Sequence, residues 1–212
     1  MNHLNINQSA GAELVRGGRD LVTPTPEAFG NFLHSMGLKG HFKVEHWRNG
    51  NRIDERHFDN GITNEGKNFL LNVMFHGTSP DATWYLGLID NSGYSALAAT
   101  DTYANIDQAG NGWDEFASYT DTANAGSSST RPEWTEGAAS SQTITNSSVV
   151  VFDITGSGTV KGIFVVGGAN AQTKSNHTAA ASNILWSTAL FSGGDSAVLN
   201  GDQLKVTYSV SA

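Results

Sequence analysis

Residues 64–88 read NEGKNFLLNVMFHGTSPDATWYLGL, a helix that feeds directly into a buried strand. Asn64 is suited to accept hydrogen bonds from the first turn as N-cap, and Glu65 suits the positive end of the helix dipole. Phe69, Leu70, Val73 and Met74 recur at helical spacing and form the stripe expected to be buried. Gly77 is placed to end the helix in the left-handed conformation. The run TWYLGLI at 83–89 is nearly continuous in apolar residues and bounded by turn residues, which predicts a central strand.

Upstream, residues 40–59 read as a β-hairpin: GHFKVEHW, the turn RNGN, then RIDERHF. Asn49-Gly50 takes the positive φ angles of a tight turn, and Phe42 and Val44 alternate with Lys43 and Glu45. Downstream, SVVVFDI, the turn TGSG and TVKGIFVV predict a second hairpin, NILWSTAL a further strand, and QLKVTYSV a last strand after the turn LNGD. Between them, 94–119 holds short strands or a helical turn around TDTYANI, and 124–129 is a Gly/Ser-rich loop tip. Such short strands joined by polar turns predict a mainly β chain, an antiparallel β-sandwich of jelly-roll or immunoglobulin-like type with one packed α-helix. No fixed-period repeat argues for a solenoid or propeller.

Residues 1–39 differ in character. TPTPEAF opens a short helix through Met36 with Phe29, Phe32, Leu33 and Met36 on one face, and residues 1–23 are too polar to build a core. The expected division is therefore an extended N-terminal arm with a short helix at 1–39 and a β-domain at 40–212, which includes the hairpin 40–59 and the helix 64–76. In the arm, Leu14 and Val15 stand beside Arg16 and Arg19, apolar anchors next to guanidinium groups that suit carboxylates or carbonyls.

Charged residues make up 15% of the 212-residue chain, against roughly 25% in ordinary soluble domains. Gly, Ser, Thr and Asn take their place. The net charge of −8 is spread along the chain, which argues against nucleic acid as a partner, since phosphate binding gathers Lys and Arg. Without Cys there is no disulfide, thiolate nucleophile or Cys-based zinc site. No segment approaches the ~20 apolar residues of a membrane-spanning helix, and the N-terminus lacks a signal-peptide core. The expectation is a protein made in the cytoplasm with no membrane partner.

The order of these pieces resembles a family of tailed-bacteriophage virion proteins encoded among head genes. The matching segments are a charged hairpin, NEGKNFLLNVMFHG, TWYLGLI, a variable polar loop, TRPEWTEGA, a stretch with VKGIFVVGG, ILWSTALF and LNGDQLKVTYSVS. The likeness covers about residues 60–212, and the arm lies outside it. Relatives in that family are virion structural or decoration (cement) proteins. The resemblance implies a non-enzymatic partner of the major capsid protein on the outer capsid surface, made in the host cytoplasm and homo-oligomeric, with a trimer favoured by analogy with decoration proteins on symmetry axes. An arm that reaches a neighbouring subunit would raise effective concentration, with Leu14, Val15, Arg16 and Arg19 as the capsid-binding group.

Candidate chemistry elsewhere is sparse. His41, His46 and His57 lie on the hairpin, with His46 and His57 expected to approach each other and His41 on the face opposite His46. No HExxH or His-x-His pattern accompanies them, so they read as polar hairpin positions and no metal or cofactor is expected. DQAGNGWDE at 107–115 imitates a calcium loop at Asp107, Asn111 and Gly112, but the third and twelfth positions are Ala109 and Ser118. No GxSxG elbow marks a serine nucleophile, and acid pairs such as Glu133/Glu136 look like solvated loop carboxylates, so no enzyme activity is expected. Trp84, Arg131 and Trp134 read as structural, with Arg131 stacking on an aromatic ring or pairing with an acid. Trp113 is the candidate for surface contact or sugar stacking, and on it rests the alternative reading, a tail- or head-fibre module that binds host-surface glycans.

Overall fold

A computed structural model describes residues 37–81, 83–107, 112–123, 126–174 and 183–212. The arm residues Leu14, Val15, Arg16 and Arg19 and the helix expected at 26–36 lie outside them, as do Asn111 of the calcium-like loop and Asn124 of the loop tip. Gly37–Ala212 forms one compact unit.

Among the described residues eleven antiparallel strands make a single sheet. They are β1 (Lys39–Arg48), β2 (Asn51–Ile62), β3 (Trp84–Asp90), β4 (Tyr119–Asp121), β5 (Glu133–Trp134), β6 (Thr143–Thr145), β7 (Val150–Ile154), β8 (Gly158–Gly167), β9 (Ile184–Leu190), β10 (Ser196–Val198) and β11 (Gln203–Ser211). The helix α1 (Asn64–Phe75) lies between β2 and β3. The sheet order is β4-β7-β11-β1-β2-β9-β8-β3-β5, with β6 paired to β11 and β10 to β8.

The hairpin expected at 40–59 is present and longer. Asn49 and Gly50 take φ of 50° and 77°, the mirror-image turn that matches strand twist. β2 pairs with β1 along most of its length, then gives its last two residues, Gly61 and Ile62, to Thr188 and Ser187 of β9. That strand end joins the two arms of the sheet, and the sheet curls there. Phe42, Val44, Phe152 and Val206 from one arm then share a core with Leu86, Leu88, Ile163 and Val165 from the other. Two tryptophans lock the closure: Trp186 Nε1 donates to the Tyr208 hydroxyl at 3.0 Å, and Trp134 Nε1 to the Tyr208 carbonyl at 3.2 Å.

β3 is the central strand expected, and it is covered on both faces. Leu86 and Leu88 face the shared core. Tyr85 and Ile89 face a second cluster with Phe164, Val166 and Leu185, roofed by Tyr103, Ile106 and Trp113 from the long connection after β3. A short 3-10 helix at Tyr103–Asn105 occupies the place of the helical turn expected around TDTYANI.

Three local expectations change. β7 and β8 do not form a hairpin: β7 pairs with β11 and β4, whereas β8 pairs with β3, β9 and β10. The TGSG link instead carries the chain from one arm of the sheet to the other. The helix cap is Thr63 rather than Asn64, since Thr63 Oγ1 accepts from Gly66 N at 3.0 Å. Met74 belongs to the solvent side, and the buried position of the helix is Gly66. Gly77 does end the helix at φ 72°.

Gly66 sets how closely α1 packs. A Cβ there would meet the Trp186 carbonyl oxygen at 2.6 Å, and backbone on β9 cannot swing aside as a flexible side chain would. Gly66→Ala is therefore expected to destabilise by about 1–3 kcal/mol, the usual cost of overpacking, despite the better helix propensity of alanine. Equilibrium denaturation in urea measures it, and an unchanged midpoint would show that helix and strand have slack.

Candidate functional site

The helix is fixed to the sheet at its N-terminal end. Thr63 N donates to the Trp186 carbonyl at 3.0 Å. One oxygen of the Glu65 carboxylate accepts the backbone N–H groups of Tyr103 at 2.8 Å and Leu185 at 2.7 Å. Burial raises the pKa of Glu65 from its ordinary value, with those two N–H bonds acting in the opposite sense. Glu65 thus ties two segments remote in sequence, those of Tyr103 and Leu185, to the first turn.

The other half of α1 stands over an apolar groove of about 290 Å³. Phe69, Leu70 and Val73 hang from the helix, Trp84 and Trp186 come from β3 and β9, and Leu38 and Val210 close the far side. Trp84 meets both Phe69 and Trp186 edge-on, at centroid distances of 6.0 and 5.8 Å. On the solvent side, Leu71, Met74 and Phe75 share one helix face and remain exposed, Phe75 by 82%. Two acids, Asp81 and Glu136, edge the groove. The buried Oδ2 of Asp81 has no partner, and burial raises the Asp81 pKa.

The residues singled out from sequence fall in different places. Trp84 and Trp134 both line the groove, Trp84 partly buried and Trp134 buried against Tyr208. Arg131 is fully buried on the other side of β3 and β8. Its Nε and Nη2 bond both oxygens of Glu115 at 2.9 and 2.6 Å, and Nη1 reaches the carbonyls of Ala171 and Thr173 and the Tyr103 hydroxyl. The guanidinium also lies over the Tyr103 and Phe164 rings. Both expected roles, stacking and acid pairing, therefore apply. Burial opposes the charge of Arg131, and Glu115 outweighs it, so its pKa rises.

Trp113 requires correction as a surface residue. It is 1% exposed, packs against Phe164 and donates from Nε1 to Asp101 at 3.0 Å, so its ring has no open face for a sugar. The aromatic sits beside polar loop residues in sequence, and only the roof over the second core explains its burial.

The histidine pairing also differs from expectation. His41 and His57 face each other, with Nε2 and Nδ1 at 3.4 Å, and each holds a carboxylate on its other nitrogen, Asp59 and Glu55 respectively. His46 points to the opposite, buried face. There its two nitrogens meet Asp202 at 2.8 Å and Ser196 Oγ at 3.2 Å. This Ser-His-Asp chain is sealed from solvent, with all three side chains buried. Asp202 also accepts from Arg48 and from Leu199 N, and the Arg48 bond leads the causes that hold its pKa well below the usual carboxylate range. The arrangement ties β10 and the start of β11 to β1 and offers no exposed nucleophile. Among the described residues no three His, Asp or Glu side chains converge on a metal position.

No protein-family model matches the chain, and no curated protein or solved structure does either.

Two substitutions test these assignments. Arg131→Ala strands the buried Glu115 charge, so a loss of about 3–5 kcal/mol is expected in urea unfolding, and a loss under 1 kcal/mol would show the network to be slack. Asp81 works in the reverse sense. Its raised pKa means that the stability it contributes is complete below the unfolded value near ~4 and is lost as pH rises through the folded value. Asp81→Asn should therefore raise the melting temperature at pH 7, and the gain should vanish on acidification below that range.

Proposed function

We propose that this chain is a non-enzymatic structural protein of a tailed-phage virion, bound to the outside of the icosahedral capsid, where it cements neighbouring capsomers. The observation that carries the reading is the apolar groove beside α1 together with the exposed Leu71, Met74 and Phe75 on its solvent side. Exposed apolar surface of this kind marks a place that another chain covers. The partner is the major capsid protein, and the homo-oligomer is a trimer. The curled sheet is read as a β-sandwich of jelly-roll or immunoglobulin-like type that presents the groove, while the arm with Leu14, Val15, Arg16 and Arg19 reaches across a capsomer boundary. The order of the sequence segments resembling head-gene virion proteins supports the same reading.

A clamp of this type acts by mass action, since it binds the assembled shell and not its separated parts. The arm contributes effective concentration, and the groove contributes a desolvated anchor. Binding of purified protein to shells of the source phage tests both. Phe75→Asp is expected to weaken occupancy by about 2 kcal/mol or more, as loss of an apolar hot spot does. Deletion of residues 2–23 is expected to weaken it while the melting temperature of the sheet stays unchanged. Wild-type occupancy for both variants would overturn the reading.

A further inference from the structure

A second groove borders α1, and its chemistry is polar. It measures about 680 Å³, within the ~300–1,000 Å³ range of small-molecule sites. Asn64, Asn68 and Asn72 line it from successive turns of the helix. At 1.5 Å rise per residue these amides follow one another at intervals of about 6 Å along the axis. None of the three side chains hydrogen-bonds within the described residues. Threonine and serine hydroxyls from the loops around residues 78–79 and 100–102 complete the wall.

Two further lining residues have unmet bonding capacity. Asn183 is 2% exposed, and its Oδ1 accepts from Asn170 N at 3.2 Å, but its Nδ2 has no partner. Asp81 lines this groove too, with its unpaired Oδ2. Among the described residues four buried side-chain polar atoms lack a partner, and two of them, one donor and one acceptor, sit on residues that line this groove. Buried polar atoms are ordinarily paired, so an unmatched donor and acceptor beside one cavity call for a ligand that supplies both. Phe69 adds an apolar ring to the same wall.

We infer that this groove binds a neutral saccharide. Sugar hydroxyls donate and accept at once, which is what a row of amides, hydroxyls and one free carboxylate requires. The ring of Phe69 suits the C–H face of a pyranose. Among the described residues no Lys or Arg lines the groove, and the ionisable residues that do are the acids Glu65 and Asp81. Sulfated, phosphorylated or uronic sugars would meet repulsion there. The inference stands apart from the capsid reading, because the groove needs no shell to function.

The test uses the full isolated chain, labelled with nitrogen-15, and titrates N-acetylglucosamine, galactose and mannose against the side-chain amide resonances. Glucuronic acid and glucosamine serve as charged counter-probes. The expected result is saturable shifts of the Asn68, Asn72 and Asn183 amides with at least one neutral sugar, with dissociation constants in the millimolar range. Glucuronic acid should bind at least about tenfold more weakly, the effect of one unfavourable charge contact. Asn68→Ala and Asn72→Ala replace exposed residues and leave the fold intact, and each should weaken binding several-fold. Asp81→Asn should weaken it as well, although it stabilises the protein at neutral pH, while Phe75→Asp should leave it unchanged. Absence of saturation with all three neutral sugars would overturn the inference. So would tighter binding of glucosamine than of every neutral sugar, which would mark a cation site on Asp81. Shell occupancy is read separately, so failure here leaves the capsid assay to decide its own question.

Discussion

The buried pair of Arg131 and Glu115 is the interaction on which the long connections depend. Arg131 is 1% exposed, and an isolated charge cannot persist at such a depth without neutralisation. Glu115 supplies both carboxylate oxygens in a forked geometry, and carbonyls from 171 and 173 accept from Nη1. The loop around 115, the segment before β5 and the loop after β8 must therefore arrive together. Glu115 is held in place in turn, since it bridges to Ile89 of β3 and its Oε1 accepts from the Tyr119 hydroxyl at 2.8 Å. Replacing a buried pair of this kind by apolar residues of similar volume is often neutral or stabilising, while its hydrogen bonds here link three separate loops.

The second core follows from that constraint. Tyr103, Ile106 and Trp113 come from a polar, Ala-containing connection that has no apolar periodicity of its own. Held against β3 and β8, they cover Ile89, Phe164 and Val166, and the outer face of those strands becomes an interior. This explains why β3 reads as nearly continuous in apolar residues rather than alternating. It also explains the burial of Trp113, whose indole N–H is met by Asp101.

α1 has a different status. Its first turn is bound by Thr63 and Glu65, and Gly66 lets it touch the β9 backbone. Its last turn carries Met74 and Phe75 into solvent. One end is structural and the other is free to make contacts, and both grooves lie along it. They share Phe69 and Asp81 as lining residues.

Much of the local structure was legible in the chain. The hairpin at 40–59 follows from Asn49-Gly50 and alternating burial, α1 from its helical period, β3 from its nearly continuous apolar run, and the stacking and acid pairing of Arg131 from its setting. Asn64 and Thr63 are both good caps, and the choice between them falls to Thr63 because its hydroxyl and N–H also reach β9. The asparagine row at 64, 68 and 72 is visible in the sequence but reads as a solvated face until Asn183, far along the chain, is found to line the same groove. The sequence by itself determined the elements, because backbone preference, turn chemistry and apolar period act over a few residues. The pairing of β7 and β8 with different partners, the roof over Trp113 and the two grooves were decided only by the tertiary structure. Each depends on side chains 20 to over 100 residues apart meeting in one interior, and a local pattern such as SVVVFDI-TGSG-TVKGIFVV is equally compatible with a hairpin or a crossing until that interior closes.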